Sequence, residues 1–196
     1  MSTAAARIFF IRHGETDWNA EGRLQGQQDI PLNRIGRLQA REVGERLKAL
    51  APAYADFDYV SSPMKRTRET MEILRNGLGL VPGDYRLDPQ LVELTFGAWE
   101  GLTWKDVRER DPVEAASRER DKWGFVPPDG ESYAMLTERV RPVIEAIARD
   151  TVIVSHGGVA RAFLALTCGV SHRKAAGLDI WQGKVLVIEK NAYCWA

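Results

Sequence analysis

Short runs of apolar residues alternate along the chain with stretches in which apolar positions recur every three or four residues. Ile8-Phe9-Phe10-Ile11 and Thr151-Val152-Ile153-Val154 are β-branched and aromatic runs, the signature of buried strands. Between them, Ala40, Val43, Leu47 and Leu50 recur at helical spacing and predict an amphipathic helix. Phe57–Ser61 reads as a strand, and Ser62-Pro63 after it as a helix start, with Ser as N-cap and Pro at the first turn. Thr67, Met71, Leu74 and Leu78 continue that helix on one face, and Gly77 and Gly79 end it. Leu136, Val140, Val143 and Ile147 predict a further helix leading into the strand Thr151–Val154. Ala160, Phe163 and Leu164 predict another just after it, and Val185–Ile188 a late strand. Strands alternating with helices imply an α/β fold, a largely parallel sheet with helices on both faces. The charged, Trp-containing stretch Thr103–Ser132, with Pro112, Pro127 and Pro128, predicts a partly helical excursion over one edge of the sheet.

Length and composition narrow the class. At 196 residues the chain is expected to form a single domain, residues 1–196, with one core. Lys plus Arg and Asp plus Glu are 27 each, so no global field draws it to nucleic acid or to an anionic membrane. No apolar run approaches the roughly 20 residues of a membrane span, and Met1–Ala6 lacks the basic start of a signal peptide. Cys168 and Cys194 are too few and too far apart for a disulfide scaffold or a thiolate metal site. The expectation is a cytoplasmic protein with reduced thiols.

Candidate chemistry gathers at strand ends. The first apolar run is followed by Arg12-His13-Gly14-Glu15-Thr16, the second by Ser155-His156-Gly157-Gly158, so two of only three histidines occupy the same context. In open α/β sheets, ligands sit beyond the carboxyl ends of the strands. His13, His156 and the Ser62–Arg66 turn all fall there, two of them leading into helices whose first N–H groups favour an anion. Neutral imidazole is a nucleophile toward phosphorus, and Arg12 and Arg66 offer planar, permanently charged forks for non-bridging oxygens. Phosphoryl transfer rests on in-line positioning and charge neutralisation, which such a set supplies without a metal. Glu93, in the apolar and aromatic segment Leu91–Gly101, is the candidate proton donor, because desolvation favours the protonated form. Taken singly, each residue has a plainer reading: a hydrogen-bonded structural histidine, a solvated helix arginine, a strand-end carboxylate. His172 reads as a solvent-facing loop residue without a role, and Phe96 and Trp99 as packing residues.

The joint pattern resembles the histidine phosphatase superfamily, in its phosphoglycerate-mutase-like branch. The similar blocks are Arg12–Asn19; Gln25-Gly26 with Asp29–Asn33 and Gly36; Ser61–Thr67; Glu93–Gly101; and, later, Asp129–Ser132 and Ser155–Gly158. They keep the family's order over about residues 7–190. The resemblance implies a three-layer α/β/α sandwich with a mostly parallel central sheet and the 103–132 excursion over the active site. It implies His13 as the nucleophile forming a phosphohistidine, with Arg12, Arg66 and His156 holding the phosphoryl oxygens. Glu93 would then be the proton donor and later the activator of water. Asn19 would help line the phosphate pocket, with Gln25, Gly26 and the Gly157 backbone close to substrate. Asn19 has an alternative reading as a turn cap, and Glu15 as a brace for Arg12. No metal or organic cofactor is implied.

The family contains both phosphatases and mutases. In the excursion, Arg108, Arg110, Arg118, Arg120 and Lys122 are interleaved with Glu109, Asp111, Glu114, Glu119 and Asp121, the pattern of a solvated helical face rather than a bisphosphate clamp. The expected activity is therefore hydrolysis of a phosphoric monoester on a small phosphorylated metabolite. Phosphoglycerate mutase is the alternative, and a non-catalytic phospho-ligand module a third. A sugar phosphate, a phosphoglycerate, a nucleotide-loop phosphate or a broad set of monoesters would fit, and a homodimer is left open.

Overall fold

The computed structural model of the protein describes residues 6–196. The chain runs β1 (Ile8–Arg12), α1 (Asp17–Ala20), α2 (Arg34–Leu50), β2 (Asp58–Ser61), α3 (Lys65–Gly77), β3 (Arg86–Leu87) and α4 (Trp104–Arg110). It continues through α5 (Pro112–Arg120), α6 (Tyr133–Glu145), β4 (Thr151–Ser155), α7 (Gly157–Cys168), α8 (His172–Ala175), β5 (Leu186–Glu189) and β6 (Ala192–Trp195). Residues 1–5, most of the segment read as lacking a signal peptide, lie outside the described residues. Among the described residues no helix is long and apolar enough to cross a membrane.

The sheet order is β3-β2-β4-β1-β5-β6, with the first four strands mutually parallel, β5 antiparallel to β1 and β6 antiparallel to β5. The two repeated motifs are neighbours. β1 pairs with β4 in register from Ile8 opposite Thr151 to Arg12 opposite Ser155, and His13 N–H donates to the Ser155 carbonyl at 2.9 Å. The period-2 alternation of a strand then divides β1 between two cores. Ile8 and Phe10 join Ile153, Val60, Leu136, Val140 and Phe163 on the α6–α7 side, whereas Phe9 and Ile11 join Val152, Val154, Val43, Leu47, Met71 and Leu74 on the α2–α3 side. The result is the expected three-layer sandwich. A third cluster, Leu24, Trp99, Val107 and Ala115, lies under the excursion. Trp99 is fully buried there, as a packing residue should be, and its indole N–H bonds Asp111 Oδ2 at 2.7 Å.

Several local expectations are corrected. The helix after β2 starts at Lys65 with Met64 as an N-cap that makes no side-chain bond, not at Ser62-Pro63. Ser62 instead prolongs the strand, its N–H donating to Val154 O, while its hydroxyl is committed to His156. Its hydroxyl oxygen reaches the Met64 N–H at 3.5 Å but no N–H of the helix itself. Leu50, read as part of the apolar stripe of α2, is exposed at its last turn, and the buried face consists of Gly36, Ala40, Val43, Gly44 and Leu47. α6 closes at Glu145, leaving Ile147 beyond it but still packed on the core. His172 sits in α8 rather than in a loop, its ring stacked on Trp123 at 4.4 Å.

Candidate active site

Register puts the two histidines together. The rings of His13 and His156 lie 5.3 Å apart, edge to face, and both are buried. His13 Nδ1 lies 2.8 Å from the Gly14 carbonyl, which can only accept, so Nδ1 carries the hydrogen and Nε2 keeps its lone pair. Arg66 Nε–H donates to that lone pair at 3.2 Å. The Arg66 Nη groups bond the carbonyls of Gln28 at 2.7 Å and Gly26 at 2.8 Å, so this fully buried cation ties α3 to the 25–28 turn. Burial brings the Arg66 guanidinium down to about 10, which leaves it cationic at pH 7. Burial first, then the charges of Arg66 and Arg12, drive His13 well below the usual imidazole range. His156 is lowered in the same way, by burial and then Arg66. Both rings are therefore neutral at pH 7.

Arg12 donates from Nη1 to the Ile180 carbonyl at 2.9 Å, while its buried Nε has no partner. Among the described residues two other buried polar atoms are equally without partners, His156 Nδ1 and Gln25 Oε1. Unpaired buried polar atoms are costly, and three at one place mark where a polar ligand belongs. A cavity of about 380 Å³ opens here, lined among others by Arg12, His13, Asn19, Gln25, Gly26, Arg66, Glu93 and Gly157. Of the residues expected at the site, only His156 does not line it directly; its ring packs edge to face on that of His13.

Glu93 is held by two backbone N–H groups, Leu94 to Oε1 at 3.0 Å and Gly158 to Oε2 at 3.0 Å. The helix starts do receive anions, as expected of their first N–H groups, and the anions are carboxylates of the chain itself. The first turn of α7 binds the Glu93 carboxylate, and that of α3 binds Asp29 through Lys65 N–H at 2.8 Å. Gly158 has no room for more, because a Cβ there would meet Glu93 Oε1 at 2.4 Å and Leu94 Cδ2 at 2.5 Å. Asn19 combines both of its readings: it completes a capping box with Thr16 and also lines the cavity. Glu15 does not brace Arg12; its Oε1 accepts from Asn33 Nδ2 at 2.8 Å.

Several residues that frame the site carry no sequence signal of their own. The Ser62 hydroxyl lies 2.9 Å from His156 Nε2, and Gln182 Nε2 donates to both the His13 carbonyl and Asn19 Oδ1 at 3.0 Å. Arg139 grips the segment before Glu93 through the carbonyls of Gln90 and Val92 and pairs with Glu131 at 2.8 Å. Arg23, Tyr133 and Arg161 line the cavity, as do Arg108, Arg118 and Lys122 of the excursion. The excursion is thus not a purely solvated face. Arg118 is turned inward by stacking on Trp104 of the preceding helix at 3.9 Å, a contact that no charge pattern reveals. Among the described residues no group of three or more His, Cys, Asp and Glu side chains could hold a metal ion.

With this geometry in view, comparison with known proteins is specific. Residues 8–196 match the family model described as "Histidine phosphatase superfamily (branch 1)". The protein named Probable phosphoglycerate mutase GpmB from Citrobacter koseri is 35% identical over 189 residues, spanning 89% of this chain and 77% of that relative. The crystal structure of TTHB049 from Thermus thermophilus is 34% identical with a TM-score of 0.70, covering 93% of this chain and 92% of that one. The native structure of a mycobacterial glucosyl-3-phosphoglycerate phosphatase is 29% identical with a TM-score of 0.79, covering 93% and 89%.

Proposed function

The chain belongs to the histidine phosphatase superfamily, branch 1, and on that premise we propose that it hydrolyses phosphoric monoesters of small metabolites through a phosphohistidine at His13. The observation that carries this reading is the state of His13: neutral, with Nδ1–H tied to Gly14 and the Nε2 lone pair met by the Nε–H of a buried arginine. A bound phosphoryl group takes the place of that lone-pair contact, with its non-bridging oxygens on Arg66, Arg12 and the vacant His156 Nδ1. Gln25, Gly26, Asn19 and the Gly157 backbone complete the pocket.

The first step forms a bond from His13 Nε2 to phosphorus and breaks the ester P–O bond in line, with Glu93 delivering a proton to the leaving oxygen. In the second, water attacks the phosphohistidine, Glu93 accepts the water's proton, and the N–P bond electrons return to Nε2. The products are an alcohol and inorganic phosphate, with the enzyme regenerated. Arg12 and Arg66 neutralise the charge on the equatorial oxygens in both steps. No metal takes part in this scheme.

A second reading has support of its own. The basic lining of the cavity, and the mutase name carried by relatives such as the Citrobacter protein, favour phosphoglycerate mutase activity. A metabolite phosphatase panel separates the two, with 3-phosphoglycerate included and run with and without a bisphosphoglycerate primer. Phosphate release that persists in chelator and disappears in His13→Ala supports the hydrolase. Isomerisation to 2-phosphoglycerate outpacing phosphate release would replace it with the mutase. Equal turnover in His13→Ala would sink both.

A further inference from the structure

The Glu93–Gly101 block carries a second acid, Glu100, to which the reaction at His13 gives no task. Glu100 is not among the residues that line the cavity; it follows the single turn Gly97–Trp99, just before Gly101 and Leu102 pair with the backbone of Leu24. Its carboxylate reaches the 25–28 turn. Oε1 accepts the Gln27 N–H at 2.9 Å, and Oε2 accepts the Gln28 side-chain amide at 2.9 Å. Oε1 is also anchored from its own segment, by the Thr95 hydroxyl at 2.8 Å and the Phe96 N–H at 3.2 Å. Gly26 has a positive φ of 52° and no room for a Cβ, which would overlap Glu100 Oε1, so only glycine lets the turn come this close.

The peptide joining Gly26 to Gln27 therefore lies between two charges. Its carbonyl accepts from Arg66 Nη2 at 2.8 Å, and its N–H donates to Glu100. In a trans peptide the oxygen and the hydrogen point in opposite directions, so each end of the peptide dipole rests on its complementary charge. Hydrogen bonds to ionised groups are about twice as strong as neutral ones, and bonds in a chain polarise one another. The carbonyl of Gln28 takes Arg66 Nη1 at 2.7 Å, while the side chain of the same residue belongs to Glu100. Both Nη groups of Arg66 thus rest on a turn that Glu100 holds, and its Nε–H donates to His13 Nε2. Burial weakens the hold of Arg66 on its proton, and the charges of Glu93, Asp29 and Glu100 oppose that loss.

We propose that Glu100 is a positioning residue for Arg66: through the 26–27 peptide it fixes the guanidinium against His13 Nε2 and the phosphoryl oxygens, without touching the substrate. The proposal rests on the hydrolase reading and adds a residue to it. A plainer role, bracing the Gly97–Trp99 turn, would leave Arg66 undisturbed.

Glu100→Gln keeps the shape, removes the charge and sets the new amide against that of Gln28. Titration with inorganic phosphate and steady-state kinetics on p-nitrophenyl phosphate read the effect. The Kd of phosphate should rise by about threefold or more, with a fall of at least about that size in kcat/KM. A smaller change in Kd overturns the proposal. Arg66→Met removes the group through which Glu100 acts, so in that background Glu100→Gln should lower kcat/KM by less than about twofold. A loss there as large as in the wild-type background means that Glu100 acts elsewhere, and overturns it. If Arg66→Met fails to fold, hydrogen exchange at the Arg66 Nε–H, followed by ¹⁵N NMR, takes its place. Exchange should be faster in Glu100→Gln by about threefold or more, and an unchanged rate overturns the proposal. If Glu100→Gln itself fails to fold, Gln28→Met, which removes only the donor to Oε2, decides. Its phosphate Kd should rise by about twofold or more, and an unchanged Kd is the contrary result. Wild type that binds phosphate but hydrolyses neither p-nitrophenyl phosphate nor 3-phosphoglycerate ends the hydrolase reading, while the titration still decides whether Glu100 positions Arg66. Wild type that neither binds nor hydrolyses removes both.

Discussion

Removing the Ser62 hydroxyl should disable His156 without touching the substrate. Ser62 Oγ lies 2.9 Å from His156 Nε2, and both residues are fully buried. The one other contact of that hydroxyl is with a donor, the Met64 N–H at 3.5 Å, so the only acceptor within reach of its own hydrogen is Nε2. With the Ser62 hydroxyl as donor, His156 carries its hydrogen on Nδ1, the buried atom that has no partner within the described residues and that the proposed mechanism offers to the phosphoryl group. In Ser62→Ala the ring can adopt the other tautomer, and Nδ1 then meets the phosphoryl oxygens lone pair to lone pair. A hydrogen bond to a charged group is worth about 1.5–3 kcal/mol, so kcat/KM should fall by about 10–150-fold. Stability should fall by about 1–3 kcal/mol, the cost of an unsatisfied buried polar atom. The assays are steady-state kinetics on p-nitrophenyl phosphate, ¹⁵N NMR of the imidazoles and chemical denaturation. Wild type should show a protonated Nδ1 in His156, and Ser62→Ala a shift toward Nε2. A variant within about twofold of wild type in kcat/KM, with an unchanged ring-nitrogen pattern, would refute the assignment.

Two further predictions concern Glu93 and pH. In Gly158→Ala the new Cβ would overlap the Glu93 carboxylate at 2.4 Å, so the carboxylate must leave its backbone donors. Overpacking of this kind costs about 1–3 kcal/mol. The kinetic loss should be larger for an alkyl phosphate, whose leaving oxygen needs a proton, than for p-nitrophenyl phosphate, which does not; equal losses would argue against Glu93 as the donor. His13 and His156 are depressed well below the ordinary imidazole value, so below about pH 6.5 the unfolded chain binds protons that the folded chain refuses. Their contribution is fully present above that pH and is lost as pH falls, with a limiting slope for two groups of about 2.7 kcal/mol per pH unit. Denaturation from about pH 7.5 to 5.5 reads this slope, and a flat profile would mean that the rings are charged in the folded state.

Much of this site is legible in the linear pattern because strand ends are legible. Four- and five-residue apolar runs that stop at a polar residue show where a chain leaves the sheet, and Arg12, His13 and His156 stand at such stops. Glu93 and Arg66 are weaker signals, an acid in an apolar segment and an arginine just past a strand end, and the family resemblance is what assigns their roles. The misreadings share one cause. Ser62 reads as a cap and the excursion as solvated, because local rules supply each group with its nearest partner. The folded chain provides a different one instead: His156 for Ser62 and Trp104 for Arg118.

By itself, the order of apolar and polar residues determined the α/β layering and the two histidine-bearing strand ends, because burial at a period of two or of 3.6 residues is a local constraint. Only the tertiary structure decided that β1 and β4 are adjacent and in register, which sets the imidazoles 5.3 Å apart. It also decided the depressed imidazole pKa values and which arginines line the cavity. Those depend on desolvation and on contacts between residues far apart in sequence, and both arise only when the layers close over one another.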